Sequence, residues 1–227
     1  MQKIILIGNA ISADIIHAYL AEDNRYEVVA FSVDKSHIKE NTKMGLPVIA
    51  TELLAGSYSL STHKVIMAVG YSNLNKVRQE LFKRVKEMGF TAETYIHPDA
   101  KIYNGGVDGG NIGEGSIIMP QTTLEVFTTI GENSVVWANC LIGHHSNIGD
   151  NCWLASGTVL AGETAVGDNT FLGVNVTISH QVKVAALNII GSASAIHKDT
   201  RENEVYLSRQ GEKHRFPATD YAQYFLK

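Results

Sequence analysis

From Asn111 to Thr200 the chain divides into 15 consecutive blocks of six residues, and this repeat constrains the fold more than any other feature. The second residue of every block is Ile, Leu or Val, from Ile112 to Ile196. The sixth residue is nearly always small, with Asn188 as the exception. A second period of 18 residues is superimposed, and an acidic residue follows each of the glycines that mark it: Gly113, Gly131, Gly149 and Gly167. So regular an internal repeat determines how the chain can fold back on itself.

The spacing predicts short strands joined by tight corners. One inward aliphatic side chain every six residues, with Gly or Asn near the turn, suits strands whose corners often need a positive φ. Three such sides close a triangular coil of 18 residues, and successive coils stack about 4.8 Å apart. Cys140 and Cys152 both occupy the small sixth position, on different sides of the triangle. We therefore expect two free cysteines that serve as small core residues.

The first 92 residues follow a different pattern, in which strands alternate with helices. Apolar runs at Ile4–Ile7, Val28–Phe31 and Lys64–Val69 are typical of buried strands. Between and after them lie helical stripes, formed by Ile11, Ile15, Ile16, Tyr19 and Leu20 and by Leu74, Val77, Leu81, Val85 and Met88. This alternation predicts a small parallel α/β domain. Ligands in such domains bind at the carboxyl ends of strands, which makes candidates of Gly8, Asn9, Asp34, Lys35 and Gly70.

Composition and charge exclude several classes of protein. The chain has 44% hydrophobic and 19% charged residues, as folded proteins do, and a net charge of −4. This balance argues against a nucleic-acid partner or an anionic membrane surface, because both need a basic excess. No apolar run approaches the length of a membrane span, and the apolar start is too short for a signal peptide. We therefore expect a cytoplasmic protein without membrane insertion.

The repeat resembles the hexapeptide-repeat transferases, whose fold is a left-handed parallel β-helix. An α/β domain, an Ile96-His97-Pro98 junction and then this helix resemble the sialic acid O-acetyltransferase and bacillosamine-pathway N-acetyltransferase family. The resemblance implies an α/β N-terminal domain plus an all-β C-terminal left-handed parallel β-helix. Residues 1–95 are then a small Rossmann-like nucleotide-sugar-binding domain, residues 96–206 the acetyl-CoA-binding catalytic helix, and residues 207–227 a C-terminal tail.

The same resemblance implies an acyltransferase. The expected reaction is acetyl-CoA-dependent N-acetylation of a nucleotide-linked amino sugar of the 4-amino-4,6-dideoxy type, for a surface glycan such as lipopolysaccharide O-antigen. The expected assembly is a homotrimer with acetyl-CoA in the cleft between adjacent helices. O-Acetylation of sialic acid or a related sugar is the alternative within this class. A γ-carbonic-anhydrase-like metal hydratase and a non-catalytic scaffold are the alternatives outside it.

The segment Ile142–Asp150 resembles the family's catalytic segment and assigns the general base to His144. The resemblance places the backbone amide of Gly162, 18 residues later, near the thioester carbonyl, and it makes His180 and Trp153 candidate acetyl-CoA contacts. An amine attacking a thioester must lose a proton, which a neutral imidazole can accept. Charge then builds on the carbonyl oxygen, where a backbone N–H can stabilise it.

Two features depart from the family pattern. His145 stands where an acidic residue often follows the catalytic histidine, and we include it among the catalytic candidates. It has Glu163 one coil above it, and this pair is either a substitute for the missing carboxylate or a surface ion pair. His144 and His180 lie two coils apart, about 9.5 Å in backbone spacing, which is too far for one to orient the other directly. The third ligand of a γ-type zinc site falls on Ala185, so we expect no metal.

Overall fold

The N-terminal part of the chain forms a five-stranded sheet in the computed structural model, which describes residues 1–103 and 111–225. The strands are β1 (Gln2–Ile7), β2 (Tyr26–Val33), β3 (Thr42–Lys43), β4 (Leu46–Ala50) and β5 (His63–Met67), in the order β3-β4-β2-β1-β5. Only the β3–β4 pair is antiparallel. The helices are α1 (Ile11–Ala21), α2 (Leu54–Ser57) and α3 (Lys76–Glu87), with single 3-10 turns at Lys35–His37 and Thr51–Leu53. The predicted α/β domain is confirmed.

The buried faces of the two longer helices differ from the predicted stripes. In α1 the buried residues are Ala13, Ile16 and Leu20, whereas Ile11 in the first turn is 76% exposed. In α3 they are Arg78, Phe82 and Val85. Val77 is therefore exposed, and Leu74 lies before the helix begins. The buried face of α3 therefore begins one residue later than the predicted face, at Arg78 instead of Val77. Hydrophobicity alone does not predict an arginine in this buried face.

From Tyr95 onward the chain winds into stacked coils with three faces. The first face holds Tyr95–Ile96, Ile117–Ile118, Val135–Val136, Trp153–Leu154, Phe171–Leu172, Ile189–Ile190 and Val205–Tyr206. The second holds Lys101–Ile102, Thr123–Leu124, Leu141–Ile142, Val159–Leu160, Thr177–Ile178 and Ala195–Ile196. The third holds Thr129–Ile130, Asn147–Ile148, Ala165–Val166 and Lys183–Val184. Neighbouring strands of a face are parallel, which confirms the predicted parallel β-helix.

The second residues of the blocks fill the axis of the helix, as predicted. From Ile118 to Ile196 they form one buried cluster, against which Ile112 is partly buried. Cys140 and Cys152 lie in the same cluster and are free. Burial raises the pKa of the Cys140 thiol to about 11 and that of the Cys152 thiol to about 12. Both thiols are therefore protonated, inert packing groups at neutral pH.

The fifth residues of the blocks form the corners of the triangle in the left-handed conformation. Asn133, Asn151, Asn169, Asn139 and Asn175 all have φ between 52° and 61°. Asparagine and glycine adopt this conformation at the lowest cost, which explains why the repeat places them there.

The first face of the helix packs against the N-terminal domain. Ile4, Leu6 and Ile16 share one buried cluster with Ile117 and Trp153. Arg78 of α3, only 1% exposed, also joins the two parts. It donates hydrogen bonds to the carbonyl oxygens of Met67 (2.5 Å) and Val69 (3.2 Å) and to those of Asn133 (3.0 Å) and Gly115 (3.4 Å) in the β-helix.

The chain ends in a further helix, α4 (Ala218–Phe225). The predicted tail, residues 207–227, includes two terminal residues outside the described part of the chain, and residues 104–110 of the predicted β-helical domain also lie outside it. Among the described residues, the helices are all too short or too polar to cross a bilayer.

Candidate active site

The predicted catalytic histidine lies at the corner between the second and third faces. We call this column the histidine corner; it comprises residues 125–128, 143–146, 161–164 and 179–182. The backbone N–H of His144 donates to Glu125 Oε2 (2.8 Å), one coil below, which fixes the start of its turn. The imidazole itself is only partly buried. His144 therefore combines a fixed backbone with a side chain that a substrate can reach.

The imidazole of His144 lies directly over Gly162. A Cβ atom on Gly162 would be 2.5 Å from His144 Nε2 and 2.6 Å from Cε1, so the ring occupies the space that a side chain would need. The backbone N–H of Gly162 donates to no described residue, whereas the equivalent N–H of Asp150 donates to Asp168. The predicted pair is thus brought together: a ring nitrogen lies over Gly162, whose backbone N–H has no acceptor among the described residues.

His145 supplies the partner of the other ring nitrogen. The two Nδ1 atoms of His144 and His145 are 3.1 Å apart, so one must donate and the other must accept. When His144 Nδ1 carries the proton, its Nε2 lone pair is free to accept another one beside Gly162. The ring of His145 packs in turn on that of Phe127, with centroids 4.7 Å apart.

Glu163 contacts His180 and not His145, so the His145–Glu163 pair that both interpretations assumed does not form. Its Oε1 is 3.8 Å from His180 Nε2, and its Oε2 accepts a hydrogen bond from Gln181 (3.0 Å). The bond from Gln181 lowers the pKa of Glu163, and the nearby rings of His180, His144 and His145 lower it further. The negative charge therefore acts on the histidines through space, on an exposed surface.

The rings of His144 and His180 are closer than the backbone spacing of their coils. Their centroids are 6.5 Å apart, since the imidazole of His144 extends over Gly162 in the intervening coil, and no hydrogen bond joins them. His180 therefore belongs to the same surface as His144. Within the described residues, no group of three or more His, Cys, Asp or Glu side chains could hold a metal ion.

The histidine corner is also the corner with the most backbone strain. The residues in the left-handed conformation there are Phe127, His145, Glu163 and Gln181, with φ between 57° and 62°. Each costs of the order of 1 kcal/mol relative to Gly or Asn at the same place. Such strain is concentrated at functional sites more often than elsewhere, since a side chain is retained there for its chemistry.

Trp153 lies on the opposite side of the triangle from His144. It belongs to the first face, whereas the histidine corner joins the other two faces. Trp153 is 5% exposed, and its ring packs on those of Tyr71 and Trp137, with centroids 5.1 and 5.6 Å away. The ring of Tyr71 in turn packs on that of Phe171, with centroids 4.7 Å apart. Within one chain the structure does not bring this candidate acetyl-CoA contact to the catalytic histidine.

The N-terminal candidates do meet, at the carboxyl ends of β1, β2 and β5. Gly8, Asn9, Asp34 and Gly70 line a cavity of about 290 Å³. Gly8 has a φ of +118°, and a Cβ atom there would be 2.6 Å from the carbonyl oxygen of Ala68, so only glycine fits. Lys35 does not line the cavity, and its backbone N–H donates to Glu52 Oε2 (3.2 Å).

Asp34 has a partner that the sequence analysis missed. Arg84 of α3 donates to Asp34 Oδ2 (3.0 Å), and this ion pair forms part of the cavity wall. Hydrogen bonding to Asp34 raises the pKa of Arg84, so the guanidinium is a permanent cation there. The cavity is thus lined by two carboxylates, Asp34 and Glu80, one permanent cation, Arg84, and the backbone at the ends of three strands. These groups suit a polar ligand.

Arg84, Glu125 and Gln181 are contacts that the sequence did not predict. Arg84 lies one helical turn after Glu80, on the cavity side of α3, and no periodicity of apolar residues identifies it. Glu125 lies 19 residues before His144, so the 18-residue period does not identify it. Gln181 lies 18 residues after Glu163, so that period could have found it. The repeat carried that signal, but polar corner residues resemble ordinary surface residues.

Comparison with known proteins agrees with the repeat and the fold. Residues 145–180 match the family model described as bacterial transferase hexapeptide (six repeats). The chain carries the bacterial transferase hexapeptide repeat. A search of the curated proteins finds no match to this hexapeptide-repeat chain.

Solved structures match over nearly the whole chain. The acetyltransferase domain of PglB from Neisseria gonorrhoeae is 23% identical, with a TM-score of 0.81 over 92% of this chain and 97% of that one. PerB from Caulobacter crescentus, in complex with CoA and GDP-perosamine, is 23% identical, with a TM-score of 0.79 over 91% and 94%. WeeI from Acinetobacter baumannii is 19% identical, with a TM-score of 0.78 over 92% and 97%. The predicted fold class and the resemblance to hexapeptide-repeat acetyltransferases are confirmed, and at these identities the matches establish the shared fold.

Proposed function

We propose that this hexapeptide-repeat protein is an acetyl-CoA-dependent N-acetyltransferase acting on a nucleotide-linked amino sugar of the 4-amino-4,6-dideoxy type. The observation that carries the proposal is that the imidazole of His144 lies over Gly162, whose backbone N–H has no acceptor in the described part of the chain. Similar structures support it: perosamine N-acetyltransferase was solved with CoA and GDP-perosamine, and the PglB domain with acetyl coenzyme A. The product is used in surface glycan synthesis in the cytoplasm.

The reaction needs one base and one oxyanion donor. The sugar amine attacks the thioester carbonyl carbon, so a C–N bond forms and the C–S bond then breaks. His144 Nε2 accepts the proton that the amine loses and returns it to the departing CoA sulfur. The N–H of Gly162 donates to the carbonyl oxygen as negative charge develops. For this step Nδ1–H of His144 donates to Nδ1 of His145, which is the direction of their 3.1 Å contact that leaves Nε2 free to accept a proton.

The active site requires two chains. In one chain the histidine corner lies across the triangle from the first face, and the first face is the side that packs on the N-terminal domain. His144 therefore cannot serve the nucleotide-sugar cavity of its own chain. A homotrimer, the expected assembly, lets each corner face the N-terminal domain of a neighbour. Residues 1–95 then hold the nucleotide and residues 96–206 the acetyl-CoA, with residues 207–227 as a separate tail.

The first experiment measures acetyl transfer to UDP-, dTDP- and GDP-linked 4-amino-4,6-dideoxyhexoses. His144→Asn should fold normally, bind acetyl-CoA and lose about 10²–10⁴-fold in kcat, the usual contribution of a general base. His180→Asn is the control and should retain most of its kcat, whereas a hydratase would need both histidines equally. Near-normal turnover of the His144→Asn protein would refute the base. Acetylation of a 4-hydroxy analogue in place of the amine would favour O-acetylation.

The second experiment tests the two-chain site by complementation. His144→Asn and Asp34→Ala each damage a different half of the site. When the two inactive variants are co-expressed and mix at random, about a quarter of the sites combine two intact halves. Activity should therefore return to roughly that fraction of wild type. Failure to recover activity in mixed oligomers would contradict the shared site.

A further inference from the structure

Four aromatic rings surround a second cavity, on the side of the helix away from the histidine corner. The cavity measures about 280 Å³ and lies between the loop that follows β5 and the first face. We call it the aromatic recess; its rings are Tyr71, Trp137, Trp153 and Phe171. Ala155, Ser156, Gly173, Val174 and Ser192 complete its lining. The proposed mechanism uses none of these residues.

The recess is open and not simply part of the core. Tyr71 is 53% exposed although its ring packs on both Trp153 and Phe171. Val174 at the rim is 47% exposed. An indole N–H in the wall, that of Trp137, is buried without a hydrogen-bond partner among the described residues. Apolar surface left open around a concave recess is typical of a binding site.

The loop that carries Tyr71 connects this recess to the N-terminal cavity. Gly70 and Ser72 line that cavity, while Tyr71 between them lines the recess. A ligand held at the ends of β1, β2 and β5 therefore has to extend only past this loop to reach the four rings. Each cavity alone is just below the about 300–1,000 Å³ of a drug-sized site, which suits one part of a larger ligand.

The same loop is held in a strained conformation. Asn73, Leu74 and Asn75 follow Tyr71 with φ of 52°, 50° and 62°, three left-handed residues in succession. Leucine has no polar side chain to offset this cost. The β-helix fixes the loop in place, since Asn169 donates a hydrogen bond to the carbonyl oxygen of Leu74 (3.4 Å). The position of the Tyr71 ring is thus set by both domains.

We infer that the aromatic recess is the subsite for the hexose ring of the nucleotide sugar, and that it selects a deoxysugar. The inference rests on the proposed function. Aromatic faces pack well on the C–H face of a sugar, and a methyl group in place of a hydroxymethyl suits an apolar wall. Ser156 and Ser192 supply hydroxyl groups for the remaining polar positions. Trp153 then contacts the acceptor sugar and not acetyl-CoA.

The two tryptophans of the chain allow a direct test, because both of them, Trp137 and Trp153, line the recess. Their fluorescence therefore reports on this site alone. We would titrate the full-length protein with UDP, dTDP and GDP, with the corresponding 4-amino-4,6-dideoxyhexose conjugates, and with acetyl-CoA. Calorimetry would measure binding of the same compounds independently.

We expect the emission to change with one nucleotide sugar and to stay constant with its free nucleoside diphosphate and with acetyl-CoA. Tyr71→Ala should raise the Kd of that nucleotide sugar at least tenfold and leave the Kd of the free diphosphate unchanged. Tyr103→Ala, which removes a ring that is 54% exposed elsewhere, is the matched control and should change neither.

Two results would overturn the inference while leaving the proposed function intact. One is an emission change caused by acetyl-CoA alone. The other is a nucleotide sugar that binds by calorimetry without affecting the tryptophans or responding to Tyr71→Ala. If calorimetry detects no binding of any nucleotide sugar, the proposed function fails first and the subsite fails with it.

Discussion

Replacing Gly162 by alanine separates the geometry of the site from the stability of the helix. The new Cβ atom would lie 2.5, 2.6 and 3.0 Å from three atoms, and all three belong to the imidazole of His144. Gly162 is not in the left-handed region, so alanine fits the backbone without strain. The substitution therefore acts on one side chain, the proposed base.

The structure gives the size of the effect. Ordinary contact distances begin at about 3.4 Å, so the ring must move by about 1 Å, a displacement that typically costs about 10²-fold in rate. Moving a side chain out of its preferred rotamer costs about 0.5–1.5 kcal/mol. In a chain of this size that lowers Tm by only a few degrees. We expect a large loss of kcat with a nearly normal melting curve.

The assay combines acetyl-transfer kinetics with thermal unfolding. Gly56→Ala is the matched control, because a Cβ atom there has no neighbour within 4 Å. In a His144→Asn background the added methyl group should cost no further stability, since the ring it displaces has gone. Wild-type kcat in the Gly162→Ala protein would refute the proposed geometry. So would an equal loss of Tm in both backgrounds, since the conflict would then involve something other than His144.

Three further predictions concern other parts of the molecule. His145→Asn should keep or raise Tm, because asparagine suits the left-handed corner, yet lower kcat about 10–100-fold as His144 loses its orienting partner. Arg78→Met should lower the free energy of unfolding by about 2–4 kcal/mol in denaturant titrations, since carbonyl groups in both domains lose their donor. An unchanged midpoint would contradict this role. Cys140 and Cys152 should resist thiol reagents at pH 8 until the protein unfolds, because burial raises the pKa of both thiols. The unfolded thiols ionise near pH 9, whereas the folded ones ionise only near pH 11–12. The free energy of unfolding should therefore decrease as the pH rises from about 9 to 12, because only the unfolded state gains the thiolate charge. Cys152→Ala should make this decrease smaller.

The β-helix was predictable because its contacts follow the order of the chain. Each residue packs on residues six positions away, on the next face, and 18 positions away, in the next coil. The repeat in the sequence therefore identifies which residues are neighbours in the structure. For that reason the pairing of His144 with Gly162 and the separation of Cys140 from Cys152 followed from counting alone. The approach of His180 to His144 did not, because it depends on side-chain tilt and not on coil spacing.

Contacts between the two domains were not predictable in this way. Arg78 replaces an apolar residue in the buried stripe of α3 because four carbonyl oxygens, two of them from the β-helix, surround its guanidinium. Burial lowers the pKa of Arg78 to about 9, so it is still a cation at neutral pH. The packing of Tyr71 on Trp153 and Phe171 likewise joins residues 82 and 100 positions apart. No short sequence pattern around Arg78 or Tyr71 predicts these contacts between the two domains.

The coil also determines how this domain can change length. An added segment of 18 residues completes one turn, so every side chain beyond it returns to its own corner about 4.8 Å further along the axis. A segment of six advances the chain by one face, and between His144 and Gly162 it would carry the glycine to a different edge of the triangle. Insertions of other lengths must leave the coil as loops at a corner. Inserting whole 18-residue turns after His180 therefore leaves His144 and Gly162 in contact. An insertion between these two residues that is not a multiple of 18 separates them and abolishes the catalytic site.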